Sequence, residues 1–371
     1  MKILMATDRY AIGGGLEYIL QLAKGSPDHE FLVLSSSGSP PKELASLPNV
    51  RCLVGRLDSA LLVRESPDLV HTNHLRSLLQ AFPLLCRKAN RRTPFVNTVH
   101  GVHLHQFEFR SGLANRLKSA LRRSIEGWCL RRMDQNILLN DLDLQFVRKH
   151  LGVRGGIVIP NGISRPNLEP LPSGIERSWA EDPAVEMKFL TISRFHFQKG
   201  YPVLLEAIRL IESLRPGHRM RFAFAGDGPE LERCRNLVQE TGIGERVRFL
   251  GRVANASRLM PLADCLILPS LWEGFPLTLL EAAHAKLPVI ASRTYGNTEV
   301  VEDKVTGLLF QTGDPRDLAR TILDAFDRRD QLGEYARAAA VQAETRFTLG
   351  RMVESTLSCY REVLSRRQVR P

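Results

Sequence analysis

Cysteine is scarce in this chain. Six residues (Cys52, Cys86, Cys129, Cys234, Cys265 and Cys359) are spread over 371 positions with no C-x-x-C pair. That excludes a dense disulfide framework and a structural zinc site, and it suits a reducing compartment. Long apolar runs are missing as well. Nowhere do about 18 apolar residues follow one another, so no membrane-crossing helix is expected. The opening MKILMATDRYAIGGG holds only a short apolar stretch before Asp8 and Arg9, without the longer core and cleavage site of a secretion signal. A soluble, cytoplasmic protein is expected. Aromatic residues make up only 7%, and no helix-turn-helix, zinc finger or set of stacking aromatics is visible, so nucleic acid is not expected as a partner.

What is present is an ordinary globular mix, 43% hydrophobic and 25% charged. The length is comfortable for two domains. The net charge of +11 is unevenly spread: residues 1–170 carry 23 Lys/Arg against 14 Asp/Glu, and residues 171–371 carry 28 against 26. The first part is therefore expected to meet something acidic.

Short apolar runs with strand character occur at 2–7, 31–35, 50–54, 68–72, 94–99, 134–139 and 156–160, then at 187–193, 220–225, 246–250, 264–268, 287–291 and 307–311. Stretches of helical spacing lie between several of them, near 75–90, 111–133, 141–150, 200–213, 229–240 and 276–286, and helices dominate from 315 onward. Strands alternating with helices imply βαβ units and parallel sheets. The pattern breaks from Ile163 to about Val185, where Pro166, Pro170, Pro172 and Pro183 make a connector. The expected architecture is α/β: two Rossmann-like, doubly wound domains facing across a cleft, with ligands outside the carboxyl ends of the strands.

The most specific segment is LPSLWEGFPLTLLEAAHAKLPVIAS, residues 268–292. Glu273 stands in a turn before a helix and Glu281 inside that helix. A carboxylate accepts from two neighbouring hydroxyls, as on a ribose or a hexose. Pro276 suits the first helical turn, and exposed N–H groups at Gly274 and Phe275 would add donors to a polar ligand. Gly13, Gly14 and Gly15 end a strand and open a helix, where backbone N–H groups approach a phosphate or sugar closely; Gly14 and Gly15 are the candidates. Glu17 beside them suits the helix dipole and a role as an acceptor ligand equally. His100 ends the strand PFVNTVH and is expected at the cleft, with His71 and His74 lining the same crevice. His103 and His105 follow, but no Asp or Cys completes a regular metal-ligand spacing. Residues 110–132, RSGLANRLKSALRRSIEGWCLRR, hold seven Lys/Arg and one acidic residue, Glu126. Leu113, Leu117, Ala120, Leu121, Ile125 and Trp128 recur there at helical spacing. Such a helix can lie on an anionic membrane, and it can be a solvated helix that packs its apolar stripe on the sheet; the two readings are compatible. Arg87, Lys88, Arg91 and Arg92 form a second basic cluster.

Segment 268–292 resembles the donor-site motif of retaining glycosyltransferases of family 4, which have the GT-B architecture. VIPNGI (158–163), TISRFHFQKG (191–200), AFAGDGPE (223–230), VRFLGRV (247–253), YGNTEVVEDKVTGLLF (295–310) and GGGLEYILQLA (13–23) extend the likeness. The resemblance implies an acceptor-binding domain over 1–165 and a nucleotide-sugar-binding domain over 166–349. A last helix, about 350–371, would pack back on the first. Glu281 would bind the ribose of a sugar nucleotide and Glu273 the hydroxyls of the transferred sugar. Arg194 and Lys199 would hold the diphosphate, and His100 would stand near donor sugar and acceptor. Transfer would proceed with retention from a nucleoside-diphosphate sugar, with no metal, no cofactor and no D-x-D-type carboxylate cluster. A saccharide or lipid-linked saccharide is the implied acceptor, and the enzyme would sit peripherally on the inner face of the cytoplasmic membrane. A non-catalytic scaffold and a sugar-nucleotide epimerase are the other readings of the same fold.

Overall fold

A computed structural model of the chain describes residues 1–10, 13–86, 93–107, 109, 112–169, 174, 179 and 182–368. The basic cluster Arg87, Lys88, Arg91 and Arg92, the start of the basic stretch at Arg110 and Ser111, and much of the proline-rich connector lie outside the described residues, as does the side chain of His103. The chain divides into two units, Met1–Gly162 with Thr348–Pro371, and Ile163–Phe347.

The first unit holds β1 (Lys2–Thr7), β2 (Glu30–Ser35), β3 (Val50–Val54), β4 (Leu69–Thr72), β5 (Phe95–Val99), β6 (Gln135–Leu138) and β7 (Ile157–Val158). They form one parallel sheet in the order β3-β2-β1-β4-β5-β6-β7. The second unit holds β8 (Met187–Ile192), β9 (Met220–Ala225), β10 (Val247–Gly251), β11 (Cys265–Leu268), β12 (Val289–Ser292) and β13 (Leu308–Phe310), again all parallel, in the order β10-β9-β8-β11-β12-β13. Each expected strand forms, displaced by no more than a few residues. Central strands such as KILMAT and CLIL are buried nearly throughout. Crossover helices cover both faces of a parallel sheet, so its strands read as continuous apolar runs rather than alternating ones.

The strand order reverses once in each sheet, between β1 and β4 and between β8 and β11. At these switch points, neighbouring crossovers leave on opposite faces and open a crevice beyond the strand ends. In the first unit the crevice is bordered by the Gly13–Gly15 turn after β1 and by Asn73 and His74 after β4. In the second it is bordered by Ser193–Lys199 after β8 and Pro269–Glu273 after β11.

The last helix, Leu349–Gln368, belongs to the first unit. Met352, Val353, Cys359, Tyr360 and Val363 join the core cluster that contains Ile3, Ile19 and Phe31. Arg367 donates to both carboxylate oxygens of Asp134, from Nη2 at 2.6 and 2.8 Å, a charge-assisted fork. The Tyr360 hydroxyl lies 2.5 Å from His71 Nδ1, and His71 Nε2 lies 2.7 Å from the Thr98 hydroxyl. His71 sits in mid-strand and is fully buried, so it does not line the crevice as its sequence position suggests. It is a core histidine with both ring nitrogens satisfied by protein.

Burial lowers the His71 pKa from 6.5 to about 3, so the folded state holds this ring neutral. Below the ordinary value the unfolded chain takes up a proton that the folded chain refuses. Stability contributed here is full above pH 6.5 and declines as pH falls toward 3. Each pH unit in that window removes about 1.4 kcal/mol. Urea unfolding followed at pH 7 and pH 5 is expected to show a loss of roughly 2 kcal/mol from this group, and His71→Gln is expected to flatten that dependence. An equal pH response in wild type and variant would contradict the assignment.

Candidate functional site

In the second unit, β8 delivers Arg194 and Lys199, and β11 delivers Glu273. Lys199 Nζ stands 2.5 Å from Glu273 Oε1, and the Ser270 hydroxyl donates to the same oxygen at 2.6 Å. The carboxylate is 7% exposed and the lysine side chain 21%, so the pair sits at the edge of the interior with the ammonium reaching outward. Lysine carries three N–H donors; one is spent on Glu273, leaving the others for an anion. Arg194 is exposed on the loop after β8.

The loops are tied together by the backbone. Leu271 N–H donates to the Gln198 carbonyl at 2.7 Å, and Gln198 Nε2 donates to the Trp272 carbonyl at 2.8 Å. These two bonds clamp the residue before Lys199 to the residues before Glu273. Gly200 adopts φ +65°, and a Cβ there would collide with the Pro269 carbonyl oxygen. The Arg194 loop rests in the same way on the segment after β9. Phe195 N–H donates to the Asp227 carbonyl and Glu230 N–H to the Phe195 carbonyl, each at 3.0 Å. A Cβ on Gly226, where φ is +154°, would collide with the Ser193 carbonyl oxygen. Only glycine fits where two backbones approach this closely at positive φ.

Glu281 lies on the helix Leu277–His284, half-buried. Pro276 directly precedes that helix, with φ −80° and ψ 110°, rather than forming part of its first turn. The turn before it is not exposed as expected. Gly274, Phe275 and Pro276 are all buried, and the Phe275 ring stands edge-on to Phe347 at 5.2 Å between centroids. Phe275 is thus a packing residue that anchors the turn. The turn is pressed from the other side by Gly296, on which a Cβ would lie 2.6 Å from the Gly274 carbonyl oxygen and 2.7 Å from that of Glu273.

In the first unit, His100 is half-buried at the end of β5. Its Nε2 lies 3.3 Å from Asn73 Oδ1, and its ring packs against Tyr18 at 5.2 Å and His74 at 5.3 Å. Burial holds the His74 ring below the usual histidine range, while the Asp8 carboxylate pulls it back up. Asp8 Oδ1 also accepts from Ser77 N–H at 3.0 Å. The structure therefore brings His100, His74 and the Gly-rich turn together. Gly15 is buried against the His74 ring, which a Cβ would overlap, whereas Gly13 and Gly14 are exposed with open space around them. Glu17 accepts from Gln21 one turn on, at 2.6 Å.

Among the described residues, His71 and His105 do not join this group. His105 Nε2 lies 3.6 Å from Asp143 Oδ1, both buried, under the helix Asp141–Leu151. A D-x-D spacing does occur at Asp141-Leu142-Asp143. It is the first turn of that helix, with Asn140 Oδ1 accepting from Asp143 N–H at 2.7 Å, and it is a cap rather than a metal cradle. Among the described residues no three His, Cys, Asp or Glu side chains converge to hold a metal ion. Sequence reasoning did not single out Ser270, Gln198, Asn73, Gly226 or Asn297. Ser270 was within reach, three residues before Glu273, where a serine hydroxyl can donate to the carboxylate across the turn.

Comparisons with known proteins bear on the family and the fold. Residues 180–340 match the family described as Glycosyl transferases group 1, and residues 12–165 match Glycosyltransferase Family 4. A UDP-Gal:alpha-D-GlcNAc-diphosphoundecaprenol alpha-1,3-galactosyltransferase of Escherichia coli is 28% identical over 262 residues, which is 68% of this chain and 65% of that enzyme. An uncharacterized glycosyltransferase of Methanocaldococcus jannaschii is 26% identical over 90% of this chain and 92% of its own. Among solved structures, a sucrose-phosphate synthase of Thermosynechococcus elongatus superposes with a TM-score of 0.82 at 20% identity, covering 98% of this chain and 99% of that one. HepE of Anabaena, solved with UDP and glucose, superposes with a TM-score of 0.77 at 21% identity, covering 98% and 100%. The two sheets are those of the GT-B fold, and the chain belongs to the group 1, family 4 glycosyltransferases.

Proposed function

We propose that this glycosyltransferase works with retention and without a metal ion or other cofactor. It moves a hexose-type sugar from a nucleoside-diphosphate sugar, a UDP-sugar before a GDP-sugar, to a saccharide or lipid-linked saccharide in cell-surface polysaccharide synthesis. The observation that carries the reading is the 2.5 Å contact between Lys199 and Glu273. It sets a cation for a leaving diphosphate beside an acceptor for sugar hydroxyls, at the switch point of a doubly wound sheet. The E. coli relative, a UDP-Gal-dependent enzyme with a diphosphoundecaprenol-linked acceptor, supports the donor and acceptor classes.

In this mechanism Lys199 and Arg194 neutralise the charge that grows on the diphosphate as the C1–O bond to phosphate breaks. Glu281 holds the ribose and Glu273 the hydroxyls of the transferred sugar. The acceptor hydroxyl attacks C1 from the same face through an oxocarbenium-like transition state, and its proton passes to the leaving phosphate oxygen. Glu273 positions rather than attacks, unlike the second carboxylate of retaining hydrolases. His100, steadied by Asn73 and Tyr18, orients the acceptor or the sugar, and the exposed Gly14 backbone meets the donor.

The basic helix supports a membrane-bound acceptor. Over Leu113–Leu130 the buried residues are Ser119, Glu126, Gly127, Cys129 and Leu130. Leu113, Leu117 and Leu121 are 73%, 64% and 64% exposed, with Ile125 following on the same face. The stripe therefore faces solvent instead of packing on the sheet. Phe82 and Leu79 of the helix Leu75–Cys86 add exposed apolar area. The Phe82 ring packs at a tilt against Trp128, 4.3 Å between centroids, and the Arg132 guanidinium covers that indole at 3.7 Å. Arg116, Lys118 and Arg123 are exposed around the stripe. Apolar side chains flanked by cations match an anionic lipid bilayer.

Variant kinetics and binding, product stereochemistry and vesicle sedimentation test this reading. With a panel of nucleoside-diphosphate sugars, Glu273→Ala is expected to lose turnover by about 100-fold or more with nucleotide affinity retained. Glu281→Ala is expected to weaken nucleotide binding by about tenfold. Retention of the anomeric configuration by NMR, at a rate unchanged by EDTA, completes the expectation. Wild-type behaviour of both variants contradicts the site. Nucleotide binding without turnover favours the scaffold reading, and release of a rearranged sugar without acceptor favours the epimerase. In vesicle sedimentation at low salt, phosphatidylglycerol is expected to bind the chain and phosphatidylcholine is not. Leu117→Asp with Leu121→Asp is expected to abolish that binding. Indifference to anionic vesicles overturns the membrane assignment.

A further inference from the structure

The sugar-binding role proposed for Glu273 leaves open what fixes its carboxylate, and a buried chain of side chains behind it supplies the means. Ser270 is fully buried at the end of β11. Its hydroxyl donates to Glu273 Oε1 at 2.6 Å, the oxygen that also receives Lys199 at 2.5 Å. A carboxylate is acceptor-only, so the serine must be the donor. Two donors on one oxygen hold the carboxylate in place and leave Oε2 as the oxygen to meet a ligand.

Ser270 is itself held. The Ser292 hydroxyl, at the end of β12, donates to the Ser270 carbonyl. Asn297 Nδ2 donates to the Ser292 carbonyl at 2.8 Å and to its hydroxyl at 3.0 Å. Ser292 and Asn297 are fully buried. None of the three has a surface to offer a sugar, so they act through Glu273 alone.

We infer that Ser270 is a positioning residue for glycosyl transfer, aligning Glu273 through its Oε1 and backed by Ser292 and Asn297. The inference rests on the proposed contact of Glu273 with the donor sugar.

The test is a double-mutant cycle on the full chain. It uses whichever of UDP-glucose, UDP-galactose, UDP-N-acetylglucosamine and GDP-mannose the wild type turns over fastest. Ser270→Ala is expected to lower kcat by about 10- to 100-fold, with KM for the donor and Kd for the free nucleoside diphosphate within about twofold of wild type. Ser270→Thr, which keeps the hydroxyl, is expected to recover most of the loss. In a Glu273→Gln background, Ser270→Ala is expected to cost less than about twofold more, because the carboxylate it orients is gone. A structural role would cost the same in both backgrounds, and that result overturns the inference. So does a Ser270→Ala enzyme of unchanged kcat beside an impaired Glu273→Gln enzyme. Full activity in Glu273→Gln, or no turnover of any donor by the wild type, defeats the functional reading itself and the inference with it. Should Ser270→Ala fail to fold, Ser292→Ala reads the same chain one bond further out, and an unchanged kcat there is the contradicting result.

Discussion

A lysine ammonium and a glutamate carboxylate held 2.5 Å apart, with the carboxylate 7% exposed, set the conditions for the rest of the second unit. Withdrawing such charges from water costs several kcal/mol each, and their attraction offsets the cost only in good geometry with the remaining acceptor sites satisfied. The surroundings meet that demand. Ser270 adds a second donor to the carboxylate, Gln198 locks the two loops together, and Gly200 lets the backbones touch. A pair so restrained needs little reorganisation when charge develops on a phosphate beside it.

The same strand logic places the groups of the first unit and separates two kinds of histidine. His71 points from the middle of β4, where both faces of the sheet are covered, and becomes a core residue bonded to Thr98 and Tyr360. His74 and His100 lie just past the ends of β4 and β5, where no helix covers them completely, and remain near the surface with Asn73, Tyr18 and Asp8 around them. Three residues of displacement along the chain thus separate a core histidine from one at the border of the crevice.

The strands were legible because central strands of parallel sheets are apolar end to end. The candidate site residues Arg194, Lys199, Glu273 and Glu281 were named from motifs that resemble a known family, and the first three stand in loops just past strand ends. Short helices were not. Ser59–Glu65 is too brief for a periodic signal, although Asp58, accepting from Leu61 N–H at 2.8 Å, is a recognisable cap. The expected exposure of Gly274 and Phe275 failed because sequence does not show Phe347 and Gly296 closing over the turn. The direction of the Leu113–Leu117–Leu121 stripe was open for the same reason: periodicity marks an apolar face but not what covers it. The buried line from Asn297 to Glu273 joins residues far apart in sequence, and no local pattern announces it.

The central claim is that the loops after β8 and β11 hold a nucleoside diphosphate through fixed side-chain cations. Calorimetric titration of the full chain with UDP, GDP and ADP in EDTA tests it most directly. The account predicts one-to-one binding of one of the three, with affinity lost in Lys199→Ala. A folded chain that binds none of them, or a Lys199→Ala variant that binds as well as wild type, would contradict it.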